Sequence, residues 1–218
     1  MTVPAEPARA VVLLAKAPVA GRVKTRLHSA FSPLDAATLA QAALEDTLVA
    51  MSSTSATHRV VALDGEPGPW LPPGFDVVAQ PTGGLGLRLA AAFRGVLERA
   101  GHSPALLVGM DTPQLGGHLA RVDFADADAV LGLTDDGGYW AIGLREADER
   151  VFEGVPMSTA RTGAAQLRRL RDLGLRVRLL PRLRDVDVPA DARAVALGAP
   201  ATRFAAAWRR LSDDPAPR

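Results

Sequence analysis

The 218-residue sequence contains no cysteine. That removes a disulfide scaffold, a thiolate zinc centre and a cysteine nucleophile together. Long apolar runs are missing as well. Nothing approaches the roughly 20 residues needed to span a bilayer. The apolar stretch Ala10–Ala15 after Arg9 is cut short by Lys16, so it reads as a buried strand rather than the core of a signal peptide. The expectation is a cytoplasmic protein with no membrane span. Neither sign of charge dominates: 25 Lys and Arg against 24 Asp and Glu leave a formal net charge of +1. No nucleic-acid partner and no acidic disordered tail is implied.

Several familiar motifs are also absent. No G-x-G-x-x-G follows the first apolar run, and Val23 stands where a Walker A loop ending in Lys24-Thr25 needs glycine. There is no G-x-S-x-G elbow. The histidines, His28, His58, His102 and His118, follow no metal spacing and read as surface or core residues. Asparagine is missing, and Lys16 and Lys24 are the only lysines. Such a bias suggests a GC-rich genome, where arginine replaces lysine wherever either will serve. Two lysines kept within one short loop therefore point to a chemical demand.

What is present is an alternation of strands and helices. Strands are predicted at Ala10–Ala15, Arg59–Leu63, Asp76–Ala79, Ala105–Val108, Ala127–Leu133, Tyr139–Leu144 and Leu175–Leu180. The first helix starts at Ser32-Pro33-Leu34-Asp35, a capping box with proline in the first turn, and runs to about Met51 with Leu34, Ala37, Leu44 and Leu48 near one face. Others are predicted over Leu87–Ala100 with Gly101 as its cap, from Ser158/Thr159 to Leu173, from Pro189, and over Thr202–Leu211. Residues 1–9 and 212–218 read as frayed ends of a single domain. Continuous apolar strands between helices predict an α/β protein, a mostly parallel central sheet with helices on both faces. Ligands of such sheets sit beyond the carboxyl ends of the strands, where the candidate residues fall.

The loop Lys16–Arg26 puts Lys16, Arg22, Lys24 and Arg26 around Gly21 directly after a core strand. Cations with a close-approaching backbone suit a di- or triphosphate; a basic surface loop tied up in ion pairs is the plainer alternative. Pro81–Gly86 opens a helix with Arg88 in its first turn, an anion site or simply a turn. Asp111 after the Ala105–Val108 strand could hold Mg²⁺ or Mn²⁺ together with substrate phosphates, or cap the next turn. Asp185-x-Asp187 points alternate carboxylates one way and could add a metal ligand, or cap the helix at Pro189. Asp135-Asp136-Gly137-Gly138-Tyr139-Trp140 could line an acceptor pocket or form a hairpin with an aromatic core residue. Adjacent strand positions alternate, so at most one of Tyr139 and Trp140 faces a cleft.

Lys16-Ala-Pro-x-x-Gly21-x-Val-Lys24-Thr25-Arg26-Leu27, Gly109-Met-Asp111-Thr-Pro113 and Asp136-Gly-Gly-Tyr139 occur in this order, and the Gln80…Gly86-x-Arg88 stretch and the late Asp185-Val-Asp187 accompany them. Together they resemble the MobA-like/CofC-like group of the nucleotide-diphospho-sugar transferase superfamily, in the branch assigned to bacterial glycosyltransferases. The resemblance covers roughly residues 10–195. It implies a three-layer, Rossmann-like GT-A fold, a nucleotide or nucleotide-sugar donor, a small-molecule acceptor and a Mg²⁺ or Mn²⁺ cofactor. Lys16, Gly21, Arg22, Lys24, Thr25 and Arg26, with Gln80, Gly86 and Arg88, would bind the nucleotide. Asp111 and Asp187 would hold the metal, and Asp136 with Lys24 would be catalytic. Gly137, Gly138, Tyr139 and Trp140 would line the acceptor pocket. Gly109 stands where many such transferases carry the first aspartate of Asp-x-Asp. Glycosyl transfer is the leading expectation. Nucleotidyl transfer from an NTP to a phosphorylated or carboxylated acceptor, and a non-catalytic nucleotide sensor, are the alternatives.

Overall fold

The computed structural model describes residues 7–100, 103–146 and 148–213. Gly101, the expected cap, His102, and the expected frayed residues 1–6 and 214–218 lie outside the described residues. Among the described residues seven strands form one sheet: β1 (Ala10–Lys16), β2 (His58–Asp64), β3 (Asp76–Ala79), β4 (Ala105–Gly109), β5 (Ala129–Thr134), β6 (Tyr139–Leu144) and β7 (Val177–Leu183). Their order is β3-β2-β1-β4-β6-β5-β7. Only β6 runs antiparallel to its neighbours β4 and β5. The carboxyl ends of the other six strands therefore lie along one side of the sheet, beside the start of β6.

Among the described residues six α-helices accompany the sheet: α1 (Pro33–Ser52), α2 (Leu85–Ala100), the short α3 (Gly116–Leu119), α4 (Thr162–Asp172), α5 (Pro189–Gly198) and α6 (Arg203–Asp213). On one face, Ala37, Leu44, Leu48 and Met51 of α1 pack on Val11, Leu13, Val61 and Val108. On the other, Leu89, Phe93 and Leu170 from α2 and α4 cover Val12, Val60, Leu107 and Leu131. A third cluster joins the back of α1, at Ala36, Leu39 and Ala43, to Val195 and Phe204 of α5 and α6. Helix α1 is buried on two sides, and its alanines let both layers approach closely. The expected α/β architecture, a mostly parallel sheet with helices on both faces, is the one observed. None of the described helices is long and apolar enough to cross a membrane.

The Ser32–Asp35 capping box forms as its sequence predicts, with Ser32 Oγ accepting from the Asp35 amide at 3.1 Å. Several boundaries differ. Leu34 is 69% exposed; at 100° per residue it lies roughly 60° off the stripe through Ala37, Leu44 and Leu48, on the first turn of the helix. Helix α4 starts at Thr162 rather than after Ser158/Thr159. The reason is a local turn: Thr162 Oγ1 donates to Pro156 O and accepts from the Thr159 amide. β7 starts at Val177 because the Leu175 amide still bonds back to Leu170 O. At the ends, Arg9 is paired with Pro104 and Thr57, and α6 continues through Ser212 to Asp213.

Candidate functional site

The loop after β1 is built on backbone turns. Arg22 N–H reaches Val19 O, Gly21 lies at φ +78°, and Lys24 adopts the left-handed region at φ 48°. A lysine rarely holds that conformation without a compensating contact. Here the compensation is visible. Lys24 Nζ sits 2.5 Å from Asp111 Oδ1, with only 7% of its side chain exposed. The same ammonium donates to Val186 O. Among the other loop residues, Arg22 and Thr25 are exposed, Arg26 pairs with Asp187, and Lys16 lies 3.6 Å from Asp64. The loop is thus partly tied up in ion pairs, all of them with acids at the strand ends.

Asp111 follows β4, and its carbonyl accepts the Val186 amide at 2.8 Å. That bond sews the segment after β7 onto the end of β4. Neither proposed cap exists: Asp111 turns to Lys24, and the Val188 amide at the start of α5 is taken by Asp191 at 3.1 Å, not by Asp187. Asp185 is the acid that the sequence reading left out of the metal set. Burial, then the neighbouring charges of Asp136 and Asp111, push its carboxyl up to about 6. Lys24 acts against that shift without cancelling it. Negative charge here is under-compensated, as expected where carboxylates crowd.

Asp135–Gly138 is the hairpin turn between β5 and β6. Asp136 Oδ1 accepts from Thr134 Oγ1 at 2.5 Å and from the Gly138 amide at 2.8 Å, and its other oxygen takes neither bond. Gly137 has φ +92°, and a Cβ there would come within 2.0 Å of Ala160 O. No other residue fits. The aromatic pair divides between the two faces. Trp140 is core, its indole N–H bonded to Pro181 O at 3.0 Å and its ring filling the space left by the missing side chain of Gly132. The β5–β6 register slips by one at this point. Tyr139 is half-buried on the other face beside Gln166 and Met157, and burial pushes its phenol above the ordinary value.

Gln80 and Arg88 take structural bonds. Gln80 Nε2 donates to Ala15 O and Ala62 O at 2.7 and 2.8 Å, and Arg88 Nη1 donates to Gln80 Oε1 at 3.1 Å. They line a small hollow of about 120 Å³ between β3 and α2. Gly86 lies beside Met157.

A larger cleft of about 760 Å³ opens at the carboxyl ends of the strands. Arg26, Asp111, Asp136, Asp185, Asp187 and Asp191 line it, with Gly138, Tyr139 and Trp140, an apolar side including Leu85 and Leu89, and the segment Ser158–Ala160. Gly137 and, of the expected phosphate loop, Lys16, Gly21, Arg22, Lys24 and Thr25 are not among these lining residues; Lys24 joins them through its contact with Asp111. Sequence reasoning missed Ser158–Ala160, whose only signal was a Ser/Thr cluster read as a helix cap. Among the described residues, no three histidines or carboxylates form a ready metal cage. The donor chemistry still suits a hard divalent cation. Mg²⁺ and Mn²⁺ take oxygen ligands and need only one or two carboxylates when phosphates complete the shell, and the under-compensated Asp185 beside Asp111 offers them.

Residues 34–159 match the family described as an uncharacterized protein conserved in bacteria, DUF2064. The chain belongs to the DUF2064 family. No curated protein matches this DUF2064 chain. Among solved structures it is similar to a candidate nucleotide-diphospho-sugar transferase from Desulfovibrio desulfuricans G20, at 24% identity and a TM-score of 0.82, over 94% of this chain and 95% of that one. It is also similar to an inositol-1-phosphate CTP transferase from T. maritima, at 13% identity and a TM-score of 0.53, over 88% and 96%. A UDP-glucose pyrophosphorylase from Acinetobacter baumanii aligns at 11% identity and a TM-score of 0.50, over 94% and 98%. At such identities the likeness shows the fold: this DUF2064 protein has the α/β fold of nucleotide-diphospho-sugar transferases and nucleotidyltransferases.

Proposed function

We propose that the chain is a transferase that uses a nucleotide-activated donor, and that it moves a sugar from a nucleotide sugar to a small acceptor. The observation that carries this reading is the contact of Lys24 with Asp111, an acid that lines the cleft. It brings the cationic loop after β1 to the acids after β4 and β7, the pairing a metal-bound diphosphate needs. The MobA-like branch suggested by the sequence motifs fits this arrangement.

In this reading Lys16, Arg22 and Arg26, with the backbone around Gly21, receive the donor's phosphates. Lys24 shares its ammonium between Asp111 and the phosphate. Asp111 and Asp185, with Asp187, would hold the cation, which when bound supplies neutralising charge for the leaving phosphate. Asp136, oriented by Thr134 and Gly138, presents its second oxygen to an acceptor hydroxyl and orients or deprotonates it.

A second reading, nucleotidyl transfer, is favoured by the four cations of the Lys16–Arg26 loop, which suit a triphosphate. Product analysis separates the two. With Mn²⁺ and an acceptor mixture, glycosyl transfer releases a nucleoside mono- or diphosphate from a nucleotide sugar. Acceptor-dependent release of pyrophosphate from an NTP would instead establish the second reading.

A further inference from the structure

The 760 Å³ cleft has two unlike halves. One carries the carboxylates of Asp111, Asp136, Asp185, Asp187 and Asp191. Among the described lining residues Arg26 is the one cation, and it is already paired with Asp187. Arg184, close behind, is committed to Asp135 and Asp191 at 3.2 and 3.6 Å. The rest is largely apolar: Leu14, Leu85, Leu89, Leu107 and Tyr139, which belong to one packed cluster, with Ser158 and Thr159 also in the lining. Ser158 is exposed and held at φ 58°, a conformation that non-glycine residues take chiefly where the surroundings impose it.

We propose that the acceptor is an uncharged hydroxyl compound with an apolar face, a sugar or polyol ring, and not a phosphorylated or carboxylated one. The proposal rests on the transferase reading and adds the acceptor class to it. An anionic acceptor entering this cleft would lose hydration next to several carboxylates, and the one cation among the described lining residues, Arg26, is paired with Asp187 and in that reading is used by the donor's phosphates. One divalent cation bound at Asp111 and Asp185 would be used by the donor's phosphates. A ring with hydroxyls on its edge meets a matching surface: its C–H face lies on the leucines and Tyr139, and its hydroxyls reach Asp136, Ser158 and Thr159. In the transfer step the acceptor oxygen bonds to the anomeric carbon as that carbon's bond to the phosphate oxygen breaks. The electron pair leaves with the nucleotide, and the hydroxyl proton passes to Asp136.

The test is binding of matched probes to the full chain, saturated with Mn²⁺ and whichever nucleoside diphosphate binds. Phenyl β-glucoside is compared with glucose 6-phosphate and glucuronate by calorimetry. The expected result is binding of the neutral probe about tenfold or more tighter than either anion, and loss of that preference in Leu85→Lys, with nucleotide affinity kept. Leu85→Ala, expected to weaken the neutral probe severalfold, replaces Leu85→Lys should the latter not fold. Equal or tighter binding of either anion overturns the acceptor class while leaving the donor reading in place, and so does the absence of neutral-probe binding. Failure of every nucleoside diphosphate to bind would overturn the transferase reading itself.

Discussion

Lys24 Nζ lies 2.5 Å from Asp111 Oδ1 in a pocket that leaves 7% of the lysine side chain exposed. Breaking such a pair by truncating one partner strands the other charge, and the cost exceeds that of an exposed pair. Lys24→Met should therefore weaken nucleotide binding by about 2 kcal/mol, some 30-fold, while far-ultraviolet circular dichroism stays native. Titration calorimetry reads this directly, and an unchanged affinity would take Lys24 out of the phosphate site.

Asp111→Asn addresses the metal. The carboxylate is 44% exposed at a strand end, so its loss opens no core. Mn²⁺-dependent nucleotide affinity should fall by roughly 10- to 100-fold, the range seen when groups around a metal are altered. Chelating the Mn²⁺ should reproduce that loss in the unsubstituted protein. A variant that binds Mn²⁺-nucleotide as tightly as before would refute the assignment.

Gly137→Ala is expected to be among the most damaging single substitutions. It adds strain at φ +92° to a clash with Ala160 O, where the turn meets the segment leading into α4. A loss of about 3 kcal/mol is expected, within the range of severe backbone effects. Urea unfolding would measure it; a midpoint near the original would mean that the 158–160 segment simply moves aside.

Asp46, on α1, accepts the amides of Arg203 and Phe204, each at 2.9 Å, and so caps α6 from a different helix. Asp46→Ala should cost about 1–2 kcal/mol, as for other helix caps. Amide exchange in the first turn of α6 should rise more than exchange in the sheet. Uniform acceleration would show that the bond is not a local cap.

Acid should release one further contact. The Arg176 guanidinium holds the Asp128 carboxyl down at about 2, below its ordinary 3.8. A depressed carboxylate adds stability above its unfolded value, and that stability is lost as pH falls from about 4 through 2. Asp128→Asn should therefore be less stable than the native sequence at pH 6 and converge with it near pH 2. Parallel unfolding curves at several pH values check the convergence, and a constant gap down to pH 2 would remove the ion pair as its cause.

The inner strands β1, β4, β5 and β6 were legible because they are nearly continuous apolar runs, and α1 because Ser32, Pro33 and Asp35 spell out its start. The α4 start was not legible: Ser158 and Thr159 look like caps, yet the Thr162 hydroxyl organises the turn from within the helix. Lys24 and Asp111 could each be singled out from sequence, but not that one would sit against the other, because they come from strand ends far apart in the chain. Asp185 was seen in its Asp-x-Asp pair without the burial that raises it, a property that only the packed strand ends create.

The bond from Lys24 Nζ to Val186 O closes a loop of 162 residues. Closures of this span come late, after local structure has met the entropic cost of bringing distant segments together. A nascent chain carrying Asp111 and Asp136 but still lacking residues 185–187 would have the turns of the cleft without its acidic wall. Nucleotide binding should accordingly mark the finished molecule: it draws the equilibrium toward chains whose last strand has docked and does little for any shorter one.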